Sequence, residues 1–302
     1  MNRPSRLAIG ASYLASLGHA ELEDSFCAAL ELGFDGVLPS PLARPLAWKE
    51  APALLDRLPL GIPAIRVESP LELAPGSLCS SEAEERLQVR ERLGRAARLG
   101  AALDCRTLIL EAPLLPGLEA ATPSYAELPE PAPEARAQIR SRLERERDRH
   151  LESACRGLFD LHQAFPDFEI CLSESAVLGS LSSAQDLRLL LDEVPRQPLG
   201  YWHRAGLVAR RASIEDGEEA GACLEALAPY LRGMSVEDAS SAGLQELPGT
   251  GQVDYGMVLP FTRRSRGDLP VVLDLAPGVA PAALAQAMRY LKKFGLQAGG
   301  AA

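Results

Sequence analysis

Acidic side chains follow short apolar runs along this 302-residue chain. Glu68 follows Ala64–Val67, Glu111 follows Thr107–Leu110, and Glu174 follows Phe168–Leu172. Glu237 and Asp238 follow Gly233–Val236, and Asp274 lies within Val271–Leu275. His203 and Arg204 follow Leu199–Trp202, and Ser12 follows Leu7–Ile9. Carboxylates gathered in one place can act as general acids and bases or hold a divalent cation. An imidazole titrates near neutrality and suits proton transfer. A guanidinium stays protonated and binds carboxylates or other anions in a bidentate fashion. Several acids in one cavity repel one another unless they are protonated, paired or bound to cations. Three arrangements answer that repulsion. A magnesium or manganese ion can sit among Glu111, Glu174, Glu237 and Asp274. Arg204 can bridge Glu174 and Asp274 in place of a metal. The acids can also face solvent at a rim.

The elements that must position these residues are βα units. Eight apolar runs (Leu7–Ile9, Gly36–Leu38, Ala64–Val67, Thr107–Leu110, Phe168–Leu172, Leu199–Trp202, Gly233–Val236 and Val271–Leu275) recur with helical patterns between them. Continuous rather than alternating apolar character predicts parallel strands buried on both faces. Eight units predict closure into a single (β/α)8 barrel over residues 1–296, with the functional residues at the carboxyl ends of its strands. Ser81 with Glu84, and Ser182 with Gln185, read as capping boxes. Gly33 reads as a helix stop and Pro281 as the first turn of the last helix. A proline-rich stretch at 113–133 reads as an insertion at the carboxyl face, either a lid or a surface loop. A very long helix is expected from about Glu134 to Ala164, and 297–302 is expected to be a disordered tail.

Four segments, 31–36 (ELGFDG), 168–175 (FEICLSES), 199–206 (LGYWHRAG) and 248–255 (PGTGQVDY), together resemble the xylose-isomerase-like barrels, the sugar phosphate isomerase/epimerase superfamily. The resemblance runs from Arg6 to about Phe294. It implies a divalent metal (manganese, magnesium or zinc) held by a Glu after strand five, an Asp and a His around the end of strand six, a His at strand seven and a Glu at strand eight. Glu174 matches the first position. Arg204 stands where the Asp is expected, Leu207 where a second His is expected, and Ser235 at the strand-seven His. Asp274 takes the strand-eight position one methylene short. Guanidinium has no lone pair for a metal, and serine is a poor substitute for imidazole. The usual metal site is therefore expected to be altered or absent, with Glu174 and Asp274 its remaining ligands.

The resemblance implies isomerisation or epimerisation of a sugar-like or polyol substrate, with Glu174, Asp274 and His203 catalytic. Arg204, Glu68, Glu111, Glu237 and Trp202 would then bind substrate. Five of them have a plainer alternative: an ion pair for Glu174, Asp274 and Arg204, and core packing for His203 and Trp202. The departures from the ligand pattern favour a second function, a non-catalytic barrel that binds a small molecule or a protein partner. A homodimer is compatible with either. The segment 248–251 reads as a turn or a phosphate cradle.

Hydrophobic residues make up 47% and charged residues 24%, as in a globular protein. A net charge of -10 with four histidines argues against nucleic-acid partners and against metal-dependent DNA repair. No apolar run is long enough to cross a bilayer, and Leu7–Gly10 is too short for a signal-peptide core, so the expectation is a cytoplasmic protein. The six cysteines carry no CxxC pair and read as free thiols.

Overall fold

The computed structural model describes residues 6–19, 21–39, 47–67, 77–117, 124–125, 132–194, 199–214, 219–241, 243–264 and 269–296. Glu68, most of the proline-rich stretch and the tail 297–302 lie outside the described residues.

All eight expected strands are present. They are β1 (Leu7–Gly10), β2 (Gly36–Leu38), β3 (Ile65–Arg66), β4 (Thr107–Glu111), β5 (Glu169–Ser173), β6 (Leu199–Arg204), β7 (Leu231–Ser235) and, last in the barrel, β10 (Val271–Leu273). They form one parallel sheet in the order β2-β1-β10-β7-β6-β5-β4-β3. The β2–β3 seam is thin. A bridge between Gly36 and Gly61 and a hydrogen bond from the Arg66 amide to the Pro39 carbonyl draw it together. A short antiparallel hairpin, β8 (Asp238–Ser240) and β9 (Gly243–Glu246), follows β7. Nothing in the sequence reading anticipated it.

Helices enclose the sheet. The last one spans Pro281–Lys292 with its proline in the first turn, and the longest runs Pro133–Ala164. Gly33 has φ 88°, the left-handed conformation that ends the helix Leu22–Glu31. The two capping boxes shift. Helix Ala83–Ala102 starts beyond Ser81 and has no side-chain cap, while Ser80 Oγ accepts the Glu82 amide. Ser183, not Ser182, caps helix Ala184–Glu193 by accepting the Asp186 amide. Ser182 Oγ instead accepts the Ser175 amide at the end of the fifth strand. No helix among the described residues is long and apolar enough to cross a membrane.

Strand alternation produces two apolar layers. One side chain from each of seven barrel positions fills the interior: Ala8, Leu38, Ala64, Ile109, Cys171, Trp202 and Val272. Most are small, so one indole does much of the filling. A Cβ on Gly233 would lie 2.4 Å from the Trp202 ring, which explains the glycine at that point of β7. The opposite parity, including Leu7, Ile9, Leu172 and Tyr201, packs into the larger layer beneath the helices. All six cysteines are free thiols.

Gly233→Ala forces the indole or β7 to move. It is expected to cost about 1–3 kcal/mol by overpacking, read as a lower urea midpoint. A midpoint equal to that of the parent chain would mean that the ring yields freely.

Candidate functional site

The site is built on the parity of β6. Trp202 and Arg204 face the barrel interior, while Tyr201 and His203 face the helices. The register pairs Ser173 with Trp202, so Glu174, one residue beyond, shares the outward parity of His203. Glu174 and Asp274 therefore belong to different clusters, not to one shared site.

At the inner mouth, three acids meet two arginines. Arg66 donates to Asp274 Oδ2 at 2.5 Å, and Gln245 also hydrogen-bonds that carboxylate. Gln245 comes from the β8–β9 hairpin with φ 59°, a left-handed conformation unusual for a side chain of its size. Arg204 Nη1 lies 3.4 Å from Glu111 Oε1, and Glu111 Oε2 accepts Ser175 Oγ at 2.9 Å. Arg204 Nε stands 4.0 Å from Glu237 Oε1, an ion pair without a hydrogen bond. Glu237 is 1% exposed, and neither of its oxygens has a hydrogen-bond partner. Gly206 allows this burial, since a Cβ there would lie 2.8 Å from Glu237 Cγ.

The two buried carboxyls respond differently. Burial by itself would push Asp274 up, but the charge and hydrogen bond of Arg66, with Arg204 and Gln245 behind them, hold it below the usual range. Glu237 is pushed up to about 8 by burial; Arg204 and Arg66 only partly offset that, and Asp274 adds to it. The arginines thus favour the ionised form of Asp274, while burial favours the protonated form of Glu237.

Trp202 is 1% exposed in the barrel interior, and its indole N–H donates to Ser235 Oγ at 3.1 Å. Ser12, in the helix Ala11–Ser16 that follows β1, is half-buried. The neighbour of Glu237, Asp238, is not at the mouth chemistry. Its carboxylate accepts the amides of Ala239, Gly249 and Val253. Gly251 must be a glycine there, because a Cβ would lie 2.5 Å from Asp238 Oδ1. Within segment 248–251 the Gly249 amide thus serves an internal carboxylate and the Thr250 amide the Leu247 carbonyl, as in a turn.

On the outer face, Glu174 is wholly buried. Its Oε1 accepts the Tyr201 hydroxyl, and its Oε2 accepts the Arg204 amide at 3.2 Å. Tyr201 Oη lies 2.6 Å from His203 Nδ1, and Cys223 Sγ lies 3.7 Å from Glu174 Oε1. Because the phenol donates to Glu174, Nδ1 must donate to the phenol. His203 Nε2 then has no partner. Burial alone would raise the Glu174 carboxyl, yet contacts with His203 and Tyr201 outweigh it and hold it low. Burial, with Cys223 and Glu174 nearby, pushes the Tyr201 phenol well up. Glu174, His203 and Cys223 bring their ligand atoms within 4.8 Å of one another, the one such group of His, Cys, Asp and Glu among the described residues.

Arg66, Gln245, Tyr201 and Cys223 were missed in the sequence. Arg66 carried a signal, a charge inside an otherwise apolar strand. Gln245 carried none, since its hairpin is not in the βα pattern.

This architecture is the xylose-isomerase-like (β/α)8 barrel. The chain is similar over 96% of its length to a D-tagatose 3-epimerase-like protein, at 14% identity, 96% of that chain covered and a TM-score of 0.68. It is similar to 3-keto-D-glucoside 4-epimerase from E. coli at 13% identity, with 96% of this chain and all of that one covered and a TM-score of 0.66. A family 2 AP endonuclease from Brucella melitensis shares the architecture at 14% identity, with 96% and 99% covered and a TM-score of 0.67. No protein-family model and no curated protein matches the chain.

The Glu237 carboxyl gives the folded state a distinctive pH dependence. Unfolded, it ionises near its ordinary 4.5; folded, it holds its proton to about 8. Its contribution is fully present below the lower value and is lost as pH rises through that window, by up to about 1.4 kcal/mol per pH unit. Glu237→Gln should therefore melt higher than the parent chain near pH 7, with the gap closing towards pH 4. Melting curves separated by the same interval at both pH values would count against a proton on Glu237.

Proposed function

We propose that this barrel isomerises or epimerises a small polyol-like carbonyl compound at its carboxyl-terminal mouth, without a divalent metal there. The observation that carries the reading is Glu237, buried with both oxygens unpartnered beside Arg204. A carboxyl that titrates near neutrality can take a proton from carbon and return it. Arg204 is the cation beside it, fitted to stabilise the enediolate oxygen that forms. Glu237 returns the proton on the same face to the neighbouring carbon, giving an isomer; an epimer requires a second acid on the opposite face of the carbon. Asp274 with Arg66 and Glu111 with Ser175 offer acceptors and donors to substrate hydroxyls.

The residues at the positions where related barrels bind metal do not fit a divalent cation. Arg204 brings a positive charge to one of them. Ser235 Oγ accepts the Trp202 indole N–H, Asp274 is paired with Arg66, and Glu174 is turned to the outer face. The sugar substrate class is drawn from the structural neighbours, whose names include a D-tagatose 3-epimerase-like protein and L-ribulose 3-epimerase.

The test is hydrogen exchange. Ketopentoses and ketohexoses incubated with the protein in deuterium oxide, with a chelator present, are followed by proton NMR. Deuterium should enter next to the carbonyl for at least one of them. The rate should rise with pH until it levels beyond about pH 8, as Glu237 ionises. Glu237→Gln should slow it by about 100-fold or more. Exchange that stops on chelation would sink the metal-free mechanism. A complete lack of exchange across the panel would favour a barrel that only binds.

A further inference from the structure

The cluster behind the fifth and sixth strands is separate from the mouth and has a different donor set. Glu174, His203 and Tyr201 are wholly buried, and Cys223, on the helix Ala220–Leu227, is 2% exposed. Glu174 Oε1 lies 3.7 Å from both His203 Nδ1 and Cys223 Sγ. The Tyr201 hydroxyl lies 3.4 Å from Cys223 Sγ and 2.6 Å from His203 Nδ1, and hydrogen-bonds Glu174. One nitrogen, one sulfur and one carboxylate oxygen thus cluster around the phenol oxygen.

We infer that Glu174, Tyr201, His203 and Cys223 form a closed, four-ligand zinc site that ties β5 and β6 to the helix Ala220–Leu227. Zinc takes tetrahedral sets of Cys, His and carboxylate ligands, with bonds of about 2.0–2.2 Å to nitrogen and oxygen and about 2.3 Å to sulfur, and here the Tyr201 phenol would complete the four. Those bond lengths keep the ligand atoms roughly 3.3–3.8 Å apart. Both Glu174 spacings and the Tyr201–Cys223 spacing already lie in that range. His203 and Cys223 bring their donors within 4.8 Å of each other, and the phenol oxygen, hydrogen-bonded to His203 and Glu174, must retreat to open the centre.

Charge and softness agree with the geometry. A carboxylate and a thiolate neutralise a divalent cation, and imidazole and phenol add no charge. A neutral complex is the form a dry interior tolerates. Thiolate with imidazole selects zinc over magnesium or manganese, which take all-oxygen sites. Binding releases the Cys223 thiol proton to solvent and moves the His203 proton from Nδ1 to Nε2, which frees the Nδ1 lone pair for the metal.

The full chain is grown in zinc-supplemented medium and purified without a metal-affinity step. One zinc per chain is expected. X-ray absorption at the zinc edge should give one sulfur neighbour at about 2.3 Å among nitrogen and oxygen neighbours. Cys223→Ser should lose the sulfur neighbour and bind zinc at least tenfold more weakly, while Asp274→Asn at the mouth should keep both content and shell. Zinc-free protein after such growth overturns the inference and leaves the reading of the mouth untouched. A shell of oxygen and nitrogen alone, lost in Asp274→Asn, overturns both.

Discussion

Successive side chains on a strand point to opposite faces, and β6 uses that rule to divide the protein's polar chemistry in two. Trp202 and Arg204 go to the barrel interior, one as filling and the other as charge. Tyr201 and His203 go to the helix side, where Glu174 and Cys223 meet them. A slip of one residue in this strand would exchange the two sets. It would put the indole under the helices and the guanidinium among apolar side chains. The β5–β6 ladder, from Ile170–Leu199 to Ser173–Trp202, fixes the choice.

The inner set then has to settle its own electrostatics. Two acids have cations at short range: Asp274 has Arg66 and Glu111 has Arg204. Glu237 has Arg204 at 4.0 Å and the more distant charge of Arg66, and it lies next to the field of Asp274. Burying a further unpaired negative charge would cost more than keeping a proton. Among the described residues the mouth therefore holds two ion pairs and one carboxyl that burial pushes towards its protonated form.

Much of this was legible in the chain. The eight strands follow from apolar runs, because burial on both faces leaves a continuous signature. The departure at Arg204 was legible too, since a guanidinium at a strand end inside a barrel must meet carboxylates. Side-chain direction was harder to read. Glu174 and Asp274 both end barrel strands, so the sequence groups them, whereas strand parity sends Glu174 outward. The β8–β9 hairpin was hidden because its residues do not follow the βα period. With it Gln245 was hidden, a residue that reaches the mouth only through its left-handed backbone. Ser182 shows the same limit at a smaller scale: a one-residue shift of the helix start frees its hydroxyl to hold the end of β5.

The two faces are not independent. Glu174 Oε2 accepts the backbone amide of Arg204, while Oε1 belongs to the cluster with Tyr201, His203 and Cys223. One carboxylate therefore fixes the start of the guanidinium side chain from behind the sheet. Whatever holds Oε1, a phenol proton or a cation, also sets how firmly Oε2 accepts that amide. The Arg204 head group sits several bonds out, where a small rotation at its Cα becomes a larger displacement beside Glu237. Rigidity at the back of β6 is in that sense a condition for precision at the mouth, where Arg204 Nε stands 4.0 Å from Glu237 Oε1.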